Sequence, residues 1–226
     1  MSISNSSNRS VRTIQKVVLV AVAIASTACA SFSRKEKGAV IGAAAGGAVG
    51  GVIGNNTGST ARGAILGAVL GGAAGAVIGH QMDQQAKELT LEIPGAVVQR
   101  VGEGIHVTFA SGLLYNFQSY AIRPEAGQNL RNLAISLQKY PNTELLIVGH
   151  SESSESNGYD QGLSSRRANS ASEYLALQGV GANRIRTSGK GDLEPLASNE
   201  TEAGRQMNRR IEVAIFAGEK AHPAPR

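Results

Sequence analysis

Two opposite charges lie at the two ends of one short segment of this sequence. Glu152 follows the apolar run at residues 144–148, which has the pattern of a buried strand, and Arg167 lies in the helical pattern that comes next. This layout predicts a carboxylate at a strand end and a guanidinium on the first turns of the following helix. A carboxylate and a guanidinium that face one cleft can hold a zwitterion, such as the free end of an amino acid. The segment therefore points to a ligand-binding site.

The elements around this pair indicate an α+β domain. Apolar periodicity predicts strands at residues 96–101, 105–109, 113–117, 145–148, 184–189 and 210–216, and helices at residues 124–140 and 163–178. Strands and helices in this order are typical of a two-layer α/β sandwich. About 125 residues are enough for one stable core of this kind.

Several separated blocks of this part follow one another at characteristic spacing. They are Gly149-His150-Ser151-Glu152, Tyr159-Asp160, Leu163-Ser164, Arg167-Ala168 and Asn208-Arg209-Arg210-Ile211-Glu212, with Tyr115-Asn116-Phe117-Gln118-Ser119, Arg123-Pro124 and Gly189-Lys190-Gly191 as further matches. Over about residues 104–218 these blocks resemble the OmpA-like peptidoglycan-associated domain family. The resemblance implies a two-layer βαβαββ-type sandwich, which we place within residues 90–218 and follow with a disordered tail at 219–226.

The same resemblance implies a ligand. In that family an aspartate and an arginine hold the D-centre of meso-diaminopimelate in the peptidoglycan stem peptide. Here Arg167 matches the arginine, whereas Glu152 stands for the aspartate, Asp160 for a usual Asn and Glu155 for a turn glycine. Whether the arginine of the last block touches the ligand or braces the pocket stays open. The implied ligand-binding residues are Glu152, Arg167, Asp160, Leu163 and Asn116, supported by Asn208 and Arg210.

The N-terminus has the features of an export signal. Residues 1–28 contain a basic start, a short apolar stretch and small residues before Cys29, the single cysteine of the chain. The segment resembles a bacterial lipobox, although Ser26 stands where Leu is usual, and the alternative is a plain cleaved signal with a cysteine nearby. The lipobox reading predicts that Cys29 is lipidated and that residues 29–37 form a short linker. Ala30 and Ser31 follow Cys29 without an aspartate, which by resemblance to lipoprotein sorting favours the periplasmic face of the outer membrane.

The net charge gives no indication of nucleic-acid binding. The formal charge of the whole chain is +5. Residues 1–28 contain three basic residues and no acidic ones, so that removing them lowers the charge to +2. A value this small does not indicate a nucleic-acid partner.

Glycine recurs at every fourth position in two arrays between residues 38 and 82. Residues four apart share one face of a helix, so each array predicts a smooth ridge for close helix packing. The polar link between the arrays favours a helical hairpin, and each 17-residue array would be about 25 Å long as a helix. The arrays resemble the glycine-zipper segments of outer-envelope lipoproteins. Their glycines are Gly38, Gly42, Gly46, Gly50 and Gly54, then Gly63, Gly67, Gly71, Gly75 and Gly79.

Three interpretations of the arrays remain open. They could form a membrane-associated hairpin, a surface through which the chain forms a homo-oligomer, or a flexible low-complexity spacer, and the first two can coexist. A glycine ridge specifies close packing and no particular chemistry.

The sequence argues against an enzyme, a metal site and a bound cofactor. The segment Gly149–Ser153 differs from a hydrolase nucleophile elbow, because Ser153 stands where that motif needs glycine. The four histidines are scattered without metal-ligand spacing. We therefore expect an outer-membrane lipoprotein that binds peptidoglycan non-covalently. The alternative is a membrane-associated oligomer built through the glycine arrays, with the C-terminal domain as a tether.

Overall fold

The computed structural model describes residues 59–70, 76–153 and 157–218. These residues contain six α-helices and five strands. The helices are α1 (Thr60–Leu70), α2 (Ala76–Glu92), α3 (Ser111–Leu114), α4 (Gly127–Lys139), α5 (Asn157–Leu177) and α6 (Glu202–Asn208). The strands are β1 (Ala96–Val101), β2 (Gly104–Ala110), β3 (Thr143–Gly149), β4 (Ile185–Gly189) and β5 (Arg210–Ala217).

The strands form one mixed sheet in the order β1-β2-β5-β3-β4. The helix α5 connects β3 to its parallel neighbour β4, while β5 lies between β2 and β3 and is antiparallel to both. A tight turn with Gly102 at a φ of +53° joins β1 to β2. Without the short helices α3 and α6, the order along the chain from β2 to β5 is βαβαββ, which confirms the predicted mixed fold. The strand β1 extends the sheet at one edge.

The main hydrophobic core lies between the sheet and the helices α2, α4 and α5. The odd-numbered residues of β5 point into it because side chains alternate along a strand. The helix α4 contributes the apolar stripe predicted from its helical spacing. The core residues contributed by α4 and β5 are Leu130, Leu133, Ala134, Leu137, Ile211, Val213 and Ile215.

Two local predictions were wrong, and one helix was missed. The strand expected at residues 113–117 is instead the single-turn helix α3, followed by one isolated bridge between Tyr115 and Ile122. The helix α5 begins at Asn157 rather than at Leu163, because its first turns are polar and gave no apolar period. The helix α6 was not predicted, and its start is capped by Thr201, whose side chain accepts a hydrogen bond from the Gly204 amide.

The helix α2 crosses the boundary that we placed between the glycine arrays and the domain. It runs from Ala76 to Glu92, whereas the arrays were expected to end at residue 82 and the domain to begin at residue 90. Its apolar residues Met82, Ala86 and Leu89 lie in the main core. These three residues recur at helical spacing directly after the last glycine of the repeat, and the sequence prediction did not use this spacing.

The helix α1 covers the opposite face of the sheet. Ala61 and Ile65 are fully buried there against Val148, Ala214 and Phe216. This partial layer is an addition to the predicted two-layer sandwich. Of the second glycine array, α1 with Gly63 and Gly67 therefore packs on one face of the sheet, whereas α2, which holds Gly79, packs on the other.

Other N-terminal predictions lie outside the described residues. These are the signal peptide, the lipidated Cys29, the linker, the first glycine array and, in the second array, Gly71 and Gly75. The C-terminal tail at residues 219–226 also lies outside them. In the described part of the chain, no helix combines the length and apolar character needed to cross a bilayer.

Candidate ligand-binding site

A small pocket lies where four parts of the domain meet at the end of β3. The loop after β3, the loop after α3, the first turns of α5 and the residue before β5 each contribute side chains to its wall. Its volume is about 60 Å³. The lining residues are Phe117, Gln118, Ser151, Glu152, Tyr159, Asp160, Leu163, Arg167 and Arg209.

A close approach between β3 and α5 sets the position of this pocket. A Cβ atom added to Gly149 would overlap the carbonyl oxygen of Ser164 on α5. The chain then continues to Ser151, whose amide donates a hydrogen bond to the carbonyl of Gly191 at 2.9 Å. Gly191 has a φ of +53°, a conformation that favours glycine. The two glycines let strand ends and helix lie close enough for Glu152 and Arg167 to share one pocket.

Arg167 is a buried cation held by backbone carbonyls. It is 3% exposed, its Nε donates to the Ser119 carbonyl at 2.8 Å, and its Nη2 lies 3.4 Å from the Asn116 carbonyl. The guanidinium also lies 5.4 Å from the centre of the Tyr115 ring. Burial lowers the pKa of Arg167 from its ordinary value. Within residues 59–70, 76–153 and 157–218, no carboxylate forms an ion pair with it.

The turn at residues 116–119 presents these carbonyls to Arg167. The Ser119 amide donates to the Asn116 carbonyl at 3.1 Å, which closes the turn. Gln118 has a φ of +55° and is the one non-glycine residue in the described ranges with a positive φ. A side chain in this conformation costs about 1–2 kcal/mol. The surrounding contacts therefore hold a strained turn against the pocket.

Glu152 differs from Arg167, because it already has ionic partners. Its Oε2 atom lies 2.5 Å from Arg209 Nη1 and 3.4 Å from Arg205 Nε. Both arginines also pair with Glu202, at 2.6 Å and 2.8 Å. The net effect on Arg209 is a raised pKa, since these two carboxylates outweigh its partial burial. Glu152 is thus one corner of a four-charge network at the pocket rim.

The remaining wall of the pocket is largely apolar. Phe117 and Tyr159 are 71% and 41% exposed, although exposed aromatic side chains are uncommon on a protein surface. Leu163 lies below them and is 6% exposed. The pocket therefore combines a cation, a carboxylate and a surface that can contact methylene groups.

Comparison with known protein families identifies the family of this domain. The OmpA family model matches residues 114–209, which span the pocket from the turn before Arg167 to Arg209. The chain is 30% identical over 137 residues to the peptidoglycan-associated lipoprotein of Agrobacterium fabrum, covering 61% of this chain and 77% of that protein. The chain belongs to the OmpA family. Residues 11–83 also match the YMGG-like Gly-zipper model.

Further members of the OmpA family show the same likeness. The probable lipoprotein YiaD of Escherichia coli K12 is 34% identical over 121 residues, which cover 54% of this chain and 55% of YiaD. The crystal structure of the cell wall anchor of the T6SS from Pseudomonas aeruginosa is 28% identical with a TM-score of 0.53, covering 59% of this chain and 96% of that one. The chain spans between 31% and 59% of the length of four of its curated relatives. None of the three relatives named here has the name of an enzyme.

The structure brings four of the expected OmpA-family site residues together in the pocket. These are Glu152, Asp160, Leu163 and Arg167. Asn116 is not part of the wall, and contributes its backbone carbonyl to Arg167. Asp160 is 2% exposed, so most of its side chain lies below the pocket surface.

The two expected supporting residues, Asn208 and Arg210, lie in different parts of the domain. Asn208 is fully buried and orders the loop before α6, since its Oδ1 accepts hydrogen bonds from the amides of Leu196 and Ala197 at 2.8 and 3.0 Å. Arg210 points to the sheet face under α1, where its Nε lies 2.7 Å from Glu212 Oε1. Arg209, which sequence reasoning did not select, lines the pocket instead. Neighbouring residues on an extended chain point to opposite sides, and the motif alone does not say which arginine faces the ligand.

The described ranges hold no group of three or more His, Cys, Asp or Glu side chains arranged to bind a metal ion.

Proposed function

We propose that this chain is an outer-membrane lipoprotein whose OmpA-family domain binds peptidoglycan non-covalently through meso-diaminopimelate. The observation that carries the proposal is Arg167, a buried guanidinium at a pocket without an ion-pair partner among the described residues. Burying an uncompensated charge is unfavourable, so such a group favours an anionic ligand. The names of the relatives, which include lipoprotein, outer membrane and peptidoglycan-associated, support the same assignment.

The ligand chemistry fits the pocket group by group. The D-centre of diaminopimelate carries a carboxylate, which Arg167 would bind through the Nη1 edge that makes no hydrogen bond within the described residues. Its ammonium would lie at Glu152. The methylene chain of the ligand would lie along Phe117, Tyr159 and Leu163, which supply the apolar wall. Two charged contacts would thus hold the D-centre end of the ligand, and one apolar contact would hold its methylene chain.

Lipidation of Cys29 would attach the N-terminus to the outer membrane while the domain holds the cell wall. Lipid chains contribute about 0.8 kcal/mol per buried CH₂, and two or more chains anchor a protein stably. The protein would then link two layers of the envelope without a covalent bond to the wall.

Sedimentation of the full-length protein with purified sacculi tests the ligand. Charged hydrogen bonds contribute about 1.5–3 kcal/mol, so Arg167→Ala should weaken binding to diaminopimelate-containing sacculi by about 10- to 100-fold. Arg166→Ala is the matched control, because Arg166 is exposed and stacks over Tyr120 at 5.5 Å from the ring centre. Sacculi with lysine in place of diaminopimelate lack the D-centre carboxylate and should bind the wild type weakly.

Two results would contradict the proposal. One is equal sedimentation of the wild type and Arg167→Ala. The other is equal binding of wild type to diaminopimelate and lysine sacculi. The variant Arg167→Lys keeps the charge but lacks the planar fork, and a thermal melt of each variant shows whether a loss of binding reflects unfolding.

A further inference from the structure

We propose that α1 is a fixed structural partner of the sheet face opposite the main core, so that this half of the second glycine array belongs to the domain and does not enter a membrane. We call this face the second sheet face. Its apolar members are Val101, Leu146, Val148, Ala214 and Phe216.

The start of α1 is anchored on carboxylates of the domain. Ser59 caps the helix by accepting a hydrogen bond from the Arg62 amide at 3.2 Å, and its hydroxyl donates to Glu212 Oε2 at 2.5 Å. The Thr60 amide donates to Glu194 Oε2 at 3.0 Å, and the Thr60 hydroxyl donates to the same carboxylate. Negative charges stabilise a helix N-terminus, so both carboxylates favour a helix that begins at this point.

The apolar side of α1 fits the second sheet face closely. Ala61, Ala64, Ile65 and Ala68 recur at helical spacing and pack on that face. Ile65 lies directly over Gly104, where an added Cβ would overlap the Ile65 side chain. By the 100° step between helix residues, the glycines of α1 lie on its other side. Docking on the second sheet face therefore uses the alanine and isoleucine stripe.

A buried polar network lies beneath the start of α1. Glu212 is 1% exposed and is bonded to Arg210, to His106 at 3.0 Å and to Ser59. His150, also buried, has its Nε2 atom 3.7 Å from Glu212 Oε1. Buried charges need hydrogen-bonding partners, and Ser59 of α1 supplies one of the two contacts to Glu212 Oε2.

An 11-residue helix with two internal glycines would not be stable alone in water. Its stability must come from its surroundings, which in this structure are the second sheet face. Residues 60–70 could not keep these contacts and also cross a bilayer. Within the described residues, the chain therefore enters the domain through a packed helix that begins at Thr60.

Hydrogen exchange of the full-length protein in detergent tests this assignment. Ile65→Ala removes the side chain seated on Gly104, and amides of β5 should then exchange at least about tenfold faster. Leu66→Ala is the matched control, because Leu66 is the next residue of the same helix and lies outside the apolar cluster. Exchange in β5 should stay within about threefold of the wild-type rate in this control. Equal rates in both variants would overturn the proposal.

Two further pairs of variants keep the test decisive. If Ile65→Ala cannot be recovered folded, Ser59→Ala should speed exchange in β5 while Thr90→Ala, at an exposed site on α2, should not; no difference between these two would refute the docking. Ile65→Asp and Leu66→Asp address the membrane alternative. If residues 60–70 crossed a bilayer, both would weaken membrane association equally and leave β5 protected. No readout uses a ligand, so failure of the peptidoglycan proposal would leave this one intact.

Discussion

The two charged residues expected to grip the ligand are prepared in different ways. Arg167 is locked by backbone carbonyls and has no ion-pair partner in the described ranges, so it offers a positioned cation. Glu152 is held by Arg209 and Arg205, so a ligand ammonium has to share or replace those contacts. Arg167 is therefore preorganised for a ligand carboxylate. Arg205 and Arg209 set how easily Glu152 can bind a ligand ammonium.

Removal of Arg205 should strengthen ligand binding. Arg205→Ala leaves Glu152 with Arg209 alone, so a ligand ammonium competes more easily for the carboxylate. Partly exposed ion pairs are worth about 0.2–1 kcal/mol, which predicts up to about fivefold tighter binding in sacculus titrations. Lys87→Ala, on the exposed side of α2, controls for the lost positive charge. Weaker binding by Arg205→Ala would mean instead that Arg205 holds Glu152 in its binding position.

At the scale of elements, the turn at residues 116–119 places a strained backbone against the pocket. It directs two carbonyls at Arg167 while placing Phe117 and Gln118 in the pocket wall. Gln118 keeps a positive φ because the turn is fixed at both ends, by α3 before it and by Arg167 beneath it. A strained residue beside a pocket is consistent with a turn selected for ligand contact rather than for stability.

The strain at Gln118 predicts different stabilities for two small substitutions. Gln118→Gly and Gln118→Ala both remove the side chain, but only glycine accepts the positive φ without cost. The Gly variant should therefore be more stable than the Ala variant by about 1 kcal/mol in denaturant unfolding. Equal stabilities would show that the turn leaves the left-handed conformation when the side chain is shortened.

At the scale of the whole molecule, the buried network under α1 makes the free energy of unfolding depend on pH. Burial, followed by the Arg210 charge, lowers the pKa of His150 to about 3. Burial by itself would raise the pKa of Glu212, but the hydrogen bond from His106 and the nearby positive charges hold it well below its usual range. Lys190 also lies near enough to oppose protonation of His150. Both shifts make the folded state bind protons less readily than the unfolded chain.

The free energy of unfolding should therefore fall as the protein is acidified. The unfolded chain protonates His150 near pH 6.5 and the folded protein only near pH 3, so stability is lost between these values. The Glu212 contribution, complete above pH of about 4.5, is lost below that. Urea unfolding at pH 7 and pH 4 should differ by a few kcal/mol.

Two histidine variants show whether His150 causes this dependence. His150→Gln should flatten the curve between pH 4 and pH 6.5, because the titrating group is gone. His80→Gln, at an exposed position on α2, should leave it unchanged. An identical pH dependence in the wild type and His150→Gln would exclude His150 as the source.

The sequence by itself determined the features that depend on local pattern. Helical spacing predicted α4, alternation predicted the strands, and the spaced blocks around Glu152 and Arg167 pointed to the OmpA family. These signals are contained within segments of a few turns, so they can be read without knowing what packs against them.

Only the tertiary structure decided which groups meet across long separations. Ser59 and Glu212 are 153 residues apart, and Glu152 and Arg209 are 57 apart, so no local pattern could pair them. The choice of Arg209 over Arg210 for the pocket depends on the direction of β5 in the sheet. The glycine repeat does not indicate what each helix packs against, whereas the apolar residues of α1 and α2 pack on opposite faces of the sheet. Burial of those side chains, rather than the repeat, decided where each half of the array lies.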